Sequence, residues 1–119
     1  MERESIMADH IKIRPAGGNW TVRAGGAVLA ETTNALELVE GDYPAVIYFP
    51  RDGIAMAFLE PSETTSTCPY KGVATYYSIA AKSGLIKDAA WSYEDPKEGV
   101  AEIKGHLAFY PSKVAVEEV

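Results

Sequence analysis

The sequence holds a single cysteine, Cys68, in 119 residues. One thiol closes no intramolecular disulfide, and it cannot supply a pair of Cys-x-x-Cys zinc knuckles. Basic residues are also scarce: 11 Lys and Arg stand against 17 Asp and Glu, a net charge of −6. A nucleic-acid coat or a binder of anionic membranes needs a basic surface, so neither partner is expected. No apolar run approaches the ~20 residues of a membrane-spanning helix. The phosphate-cradling pattern Gly-x-x-x-x-Gly-Lys is missing, and so are repeats, heptads and low-complexity tracts. No cofactor is expected. The opening Met1-Glu2-Arg3-Glu4-Ser5 lacks a basic-then-apolar layout. With one cysteine, this points to a cytoplasmic protein.

What is present is ordinary globular composition, 47% hydrophobic and 24% charged. The length suits one domain. Residues 1–9 are polar and read as a flexible tail, leaving 10–119 as a single β-rich domain. Asn19 to Ala24 alternates, Gly25-Gly26 permits the positive φ of a two-residue hairpin, and Ala27 to Glu31 returns, with Val22 expected opposite Leu29. Leu36 to Gly41 continues the alternation. Val46-Ile47-Tyr48-Phe49 is a continuous apolar run, expected to be covered on both faces. Pro50 to Gly53 is a turn, and Ile54 to Leu59 fits a strand or a helical turn equally. Glu60 to Thr67 reads as a polar connection. Strands are expected over Thr75–Ile79, Leu85–Tyr93, Leu107–Tyr110 and Val114–Val116, with one short helix over Lys97–Lys104. The sum is a compact, mostly antiparallel β domain with one short helix or 3-10 turn.

The information is concentrated in Cys68-Pro69-Tyr70-Lys71-Gly72-Val73-Ala74-Thr75-Tyr76-Tyr77-Ser78, which sets a thiol, a phenol, an amine and a glycine turn side by side. Two other stretches are similar in kind: Tyr48-Phe49-Pro50-Arg51-Asp52 and Trp91-Ser92-Tyr93-Glu94-Asp95-Pro96. Five of the seven tyrosines fall in these three stretches. Phenols pack well and keep a polar handle, which suits a half-wet concave wall. The three stretches, with the closing Gly105-His106-Leu107-Ala108-Phe109-Tyr110, resemble the family catalogued as domain of unknown function 427, over about Trp20 to Val116. Some of its members are labelled nucleotidyltransferase-like. The resemblance implies a β-tent, or Mss4-like, fold, shared with methionine sulfoxide reductase B and the ligand domain of cereblon. Many such folds carry zinc on two Cys-x-x-Cys knuckles, which this chain lacks. The corresponding knuckle must then be held by packing, with the aromatic cluster as the candidate.

Each candidate has a plain alternative. Cys68 is a nucleophile if a nearby charge such as Lys71 lowers its pKa, or a small buried hydrophobe. His106 could serve as its base. Lys71 binds a ligand carboxylate or phosphate, or pairs with Asp52, Glu60 or Asp95. Arg51 with Asp52 is an anion clamp, or half of an ordinary ion pair. Glu94-Asp95 is an acid–base or metal pair, or a turn former before Pro96. Trp91 and Tyr93 form a cage if they face solvent, and core otherwise. The leading expectation is a small-molecule binding module. Tyr48, Arg51, Cys68, Tyr70, Lys71, Tyr76, Trp91 and Tyr93 would line its cleft, and an anionic ligand is favoured by Arg51 and Lys71. A Cys68-dependent enzyme, with His106, is the rival, and a protein-interaction subunit is the third class. A homo-oligomer stays open.

Overall fold

Alternation of apolar and polar residues becomes ten antiparallel strands over residues 10–119, the part of the chain described by a computed structural model. The flexible tail expected over residues 1–9 lies outside the described residues. In chain order the strands are β1 (Ile11–Pro15), β2 (Trp20–Ala24), β3 (Ala27–Thr32), β4 (Leu36–Glu40), β5 (Val46–Tyr48), β6 (Leu59–Cys68), β7 (Gly72–Ala81), β8 (Gly84–Ser92), β9 (Leu107–Phe109) and β10 (Ala115–Glu118). Short 3-10 turns occupy Arg51–Gly53, Met56–Phe58 and Glu98–Ile103. Among the described residues no helix is long and apolar enough to cross a membrane.

The strands form three sheets, ordered β1-β4-β5, β10-β2-β3 and β6-β7-β8-β9. The first and third meet edge to edge. Phe49 N–H donates to the Leu107 carbonyl at 2.8 Å and Leu107 N–H donates back at 2.9 Å. Side chains alternate across this joined surface, so each strand feeds two cores. Phe49, Ile79, Ala90, Leu107 and Phe109 face a core closed by Val22, Leu29 and Val114. Tyr48, Ala74, Tyr93 and Ala108 face a second core with Leu38, Val100 and Ile103.

The β2–β3 hairpin turns at Gly25-Gly26 as expected, but its register shifts. Val22 opposes Ala30, not Leu29, because β3 carries one extra residue, Leu29, opposite the step from Val22 to Arg23. The extra residue lets Leu29 and Ala30 both be buried in succession. Glu60 to Thr67 is no connection but most of β6, a ten-residue edge strand. Its side chains are largely exposed on both faces, so it shows no apolar alternation. Pro61 is tolerated there because one side of an edge strand donates to nothing. The short helix or 3-10 turn expected over Lys97–Lys104 is the 3-10 turn Glu98–Ile103, broken at Val100. Val100, at the break, and Ile103 are both fully buried in the second core.

Candidate functional site

Tyr76 on β7 and Trp91 on β8 are direct cross-strand partners. Both project to the second core, and beyond them that core does not close. A cleft of about 240 Å³ opens there, walled by Tyr48, Tyr76, Trp91, Tyr93 and Tyr110. Tyr43 and Pro44 form its lip, and Leu38, Glu40, Val46 and Lys71 complete its lining. Tyr43 is 73% exposed, which marks the mouth.

The aromatic wall is locked by ring contacts. Trp91 meets Tyr48 edge-on, with centroids 6.4 Å apart, and Tyr110 at a 43° tilt and 4.5 Å. Trp91 Nε1–H donates to the Tyr48 hydroxyl at 3.3 Å. The Tyr76 hydroxyl lies 2.9 Å from Ser66 Oγ on β6. Burial pushes the Tyr48 phenol up to about 12, against the pull of the Trp91 hydrogen bond and with the Glu40 charge adding to it. Burial likewise pushes Tyr110 up to about 12, helped by the neighbouring Tyr76 hydroxyl. Tyr93 is raised as well, by burial and then by Tyr48, Cys68, Tyr76 and Glu40 around it. These phenols are therefore neutral donors across the physiological range.

Lys71 is 9% exposed, unusual for lysine. Gly72 behind it holds φ at +113°, beyond the ordinary range of residues with a Cβ, and this turns the chain so that Lys71 points inward. Its Nζ donates to Glu40 Oε1 on β4 at 2.6 Å. The other Glu40 oxygen lies 3.4 Å from His10 Nε2. Burial pushes the Glu40 carboxyl up, but Lys71, through hydrogen bond and charge, and His10 in the same two ways outweigh it and hold it below its usual value. The His10 ring packs edge-on against Tyr70 at 4.5 Å.

Of the residues expected to line a cleft, Tyr48, Lys71, Tyr76, Trp91 and Tyr93 stand around this one. Cys68 and Tyr70 pack against the same core without lining the cavity. Arg51 is elsewhere. It pairs with Glu94, and its Nη2 donates to the Tyr77 hydroxyl at 3.1 Å and its Nε to the Gly105 carbonyl at 2.8 Å. Tyr77 belongs to the opposite face of β7 from Tyr76, on the first core. His106 Nδ1 sits 3.2 Å from the Lys104 carbonyl, and no hydrogen bond joins it to Cys68 among the described residues. Glu40, Tyr43, Tyr110 and His10 were not expected at the site. Tyr43 and Tyr110 are the two tyrosines outside the dense stretches, which is the signal that could have drawn attention to them.

The profile of the family described as "Domain of unknown function (DUF427)" matches residues 12–119. The chain belongs to this family. That match covers every residue that lines the cleft, and every residue of the two cores except Ile11. No curated protein matches the chain.

Proposed function

We propose that this DUF427 protein is a small-molecule binding module, and that its binding site is the tyrosine-walled cleft. One observation carries the reading. Five aromatic side chains, Tyr48, Tyr76, Trp91, Tyr93 and Tyr110, converge on one open concavity together with the nearly buried Lys71. Aromatic walls with a few convergent polar groups are the make-up of a small-molecule site. The volume, about 240 Å³, falls below the ~300–1,000 Å³ of sites for drug-sized ligands and suits a single ring.

The anionic preference inferred from Arg51 and Lys71 loses its basis. Arg51 is committed to Glu94 and Lys71 to Glu40, so the cleft carries no surplus positive charge. The Cys68–His106 enzyme has no hydrogen-bonded dyad behind it. The interaction-subunit reading would use the exposed edge of β6, but that strand carries Pro61, Glu60 and Glu63, the residues that discourage strand addition.

Thermal-shift screening against acids, nucleotides and neutral heterocycles tests the reading, because a ligand that binds only the folded state raises Tm. The expected result is a ligand-dependent rise that Tyr76→Ala abolishes and Arg51→Ala leaves unchanged. A rise abolished by Arg51→Ala and kept by Tyr76→Ala would move the site to the other face of the sheet.

A further inference from the structure

The hydrogen-bonding groups that face the cleft are unequal in kind. Lys71 has three N–H donors and spends one on Glu40. The Tyr48 hydroxyl accepts from Trp91, which leaves its own proton to give. The Tyr93 hydroxyl is unspent among the described residues. Against these donors stands one carboxylate, Glu40, already shared between Lys71 and His10. A ligand that satisfies this floor must bring acceptors.

Charge narrows the choice further. An anion would lose its hydration in a cleft where the ammonium is already neutralised 2.6 Å away, on a chain of net charge −6. A cation would sit beside the Lys71 ammonium. A neutral molecule meets neither cost. The walls are aromatic, with Tyr76 and Trp91 adjacent across β7 and β8 and Tyr110 against Trp91, so they favour a flat partner.

Resting on the reading of the cleft as a binding site, we propose that its ligand class is a planar, uncharged ring bearing carbonyl oxygens, a cyclic amide or imide. Its carbonyls point at Lys71 and at the Tyr48 and Tyr93 hydroxyls, and its ring lies against Trp91. The buried ion pair is then a device that keeps an ammonium in place as a donor while cancelling its charge. Glu40 comes from β4 and Lys71 from the β6–β7 turn, so ligand binding also bridges two sheets.

The test is a titration of the full-length protein followed by the Trp91 indole N–H resonance, identified by its loss in Trp91→Phe. The probes are 2-pyridone, benzoate, tetramethylammonium and toluene. The expected result is that 2-pyridone binds about tenfold tighter than toluene, since each hydrogen bond to a neutral group contributes about 1 kcal/mol. Tyr93→Phe should weaken 2-pyridone about fivefold and leave toluene unchanged. Equal affinities for 2-pyridone and toluene would overturn the proposal, and so would tighter binding of benzoate or tetramethylammonium; in these cases the cleft would remain a binding site for another class. If no probe moves the Trp91 resonance, the ligand class and the binding reading both fall.

Discussion

Tyr48 and Phe49 are neighbours in the chain and belong to different cores. Phe49 is fully buried against Phe109, edge-on at 5.8 Å, in a core of aliphatic and phenylalanine side chains. Tyr48 is as deeply buried, yet it receives a hydrogen bond from Trp91 and borders an open cleft. The same division repeats along the sheet: Ala90 against Trp91, and Leu107 and Phe109 against Ala108 and Tyr110; Tyr77, the phenol packed on the first core, has its hydroxyl bonded to Arg51 and Glu94. A stability core has no use for this many phenols, because each buried hydroxyl must be matched. One face is therefore packed for stability, and the other gives up packing to keep a wet, donor-rich wall.

This contrast is broken most severely from the dry side. Phe49→Ala should destabilise the protein by about 3–5 kcal/mol in urea denaturation. A loss under about 1 kcal/mol would mean that the first core is not the one holding the fold.

On the wet side the largest effect belongs to the ion pair. Glu40→Gln leaves the Lys71 charge without its counter-charge and should cost about 1–3 kcal/mol. Adding Lys71→Met should recover most of that loss, since removing both charges removes the desolvation cost as well. The same pair sets a pH dependence. The Glu40 carboxyl is held below its usual value of about 4.5 in the folded state. A depressed carboxyl contributes stability that is full above its unfolded value and is lost as pH falls through its folded value. Wild type should therefore lose stability more steeply than Glu40→Gln on acidification below about pH 4.5. Parallel curves would show that the pair does not couple to folding.

The finest distinction lies within the cleft. Tyr48→Phe removes the acceptor of the Trp91 N–H and should cost about 1 kcal/mol. Tyr93→Phe removes a hydroxyl with no protein partner and should be neutral or slightly stabilising in the free protein. If both cost the same, Tyr93 has a partner in the folded chain and the contrast between them disappears.

Much of the dry architecture was legible from the residues. Alternation and Gly25-Gly26 located the β2–β3 hairpin, and the run at Val46–Phe49 marked a strand with both faces covered. The bulge at Leu29 was not legible, because Leu29 and Ala30 are both apolar and either could oppose Val22. Strand β6 was invisible for a different reason: an edge strand that is polar on both faces has no period to detect. At the site, the dense tract from Cys68 to Ser78 pointed to Lys71 and Tyr76. The sequence leaves Lys71 either a ligand contact or an ion pair with Asp52, Glu60 or Asp95. Glu40 lies 31 residues away on a strand of another sheet, a pairing made by topology that no local spacing encodes. Arg51 shows the converse, since likeness of composition suggested a shared cleft while the 3-10 turn after β5 carries Arg51 to Glu94 and Tyr77 on the other face.

The central claim is that open space on the tyrosine face is a binding site while the dry core only supports it. Soaking crystals with a library of small neutral ring fragments tests this most directly. The account predicts density concentrated among Tyr76, Trp91 and Tyr93, within reach of Lys71. Fragments clustering instead in the apolar groove between Val28, Phe58 and Ala81, with the tyrosine cleft empty, would contradict it.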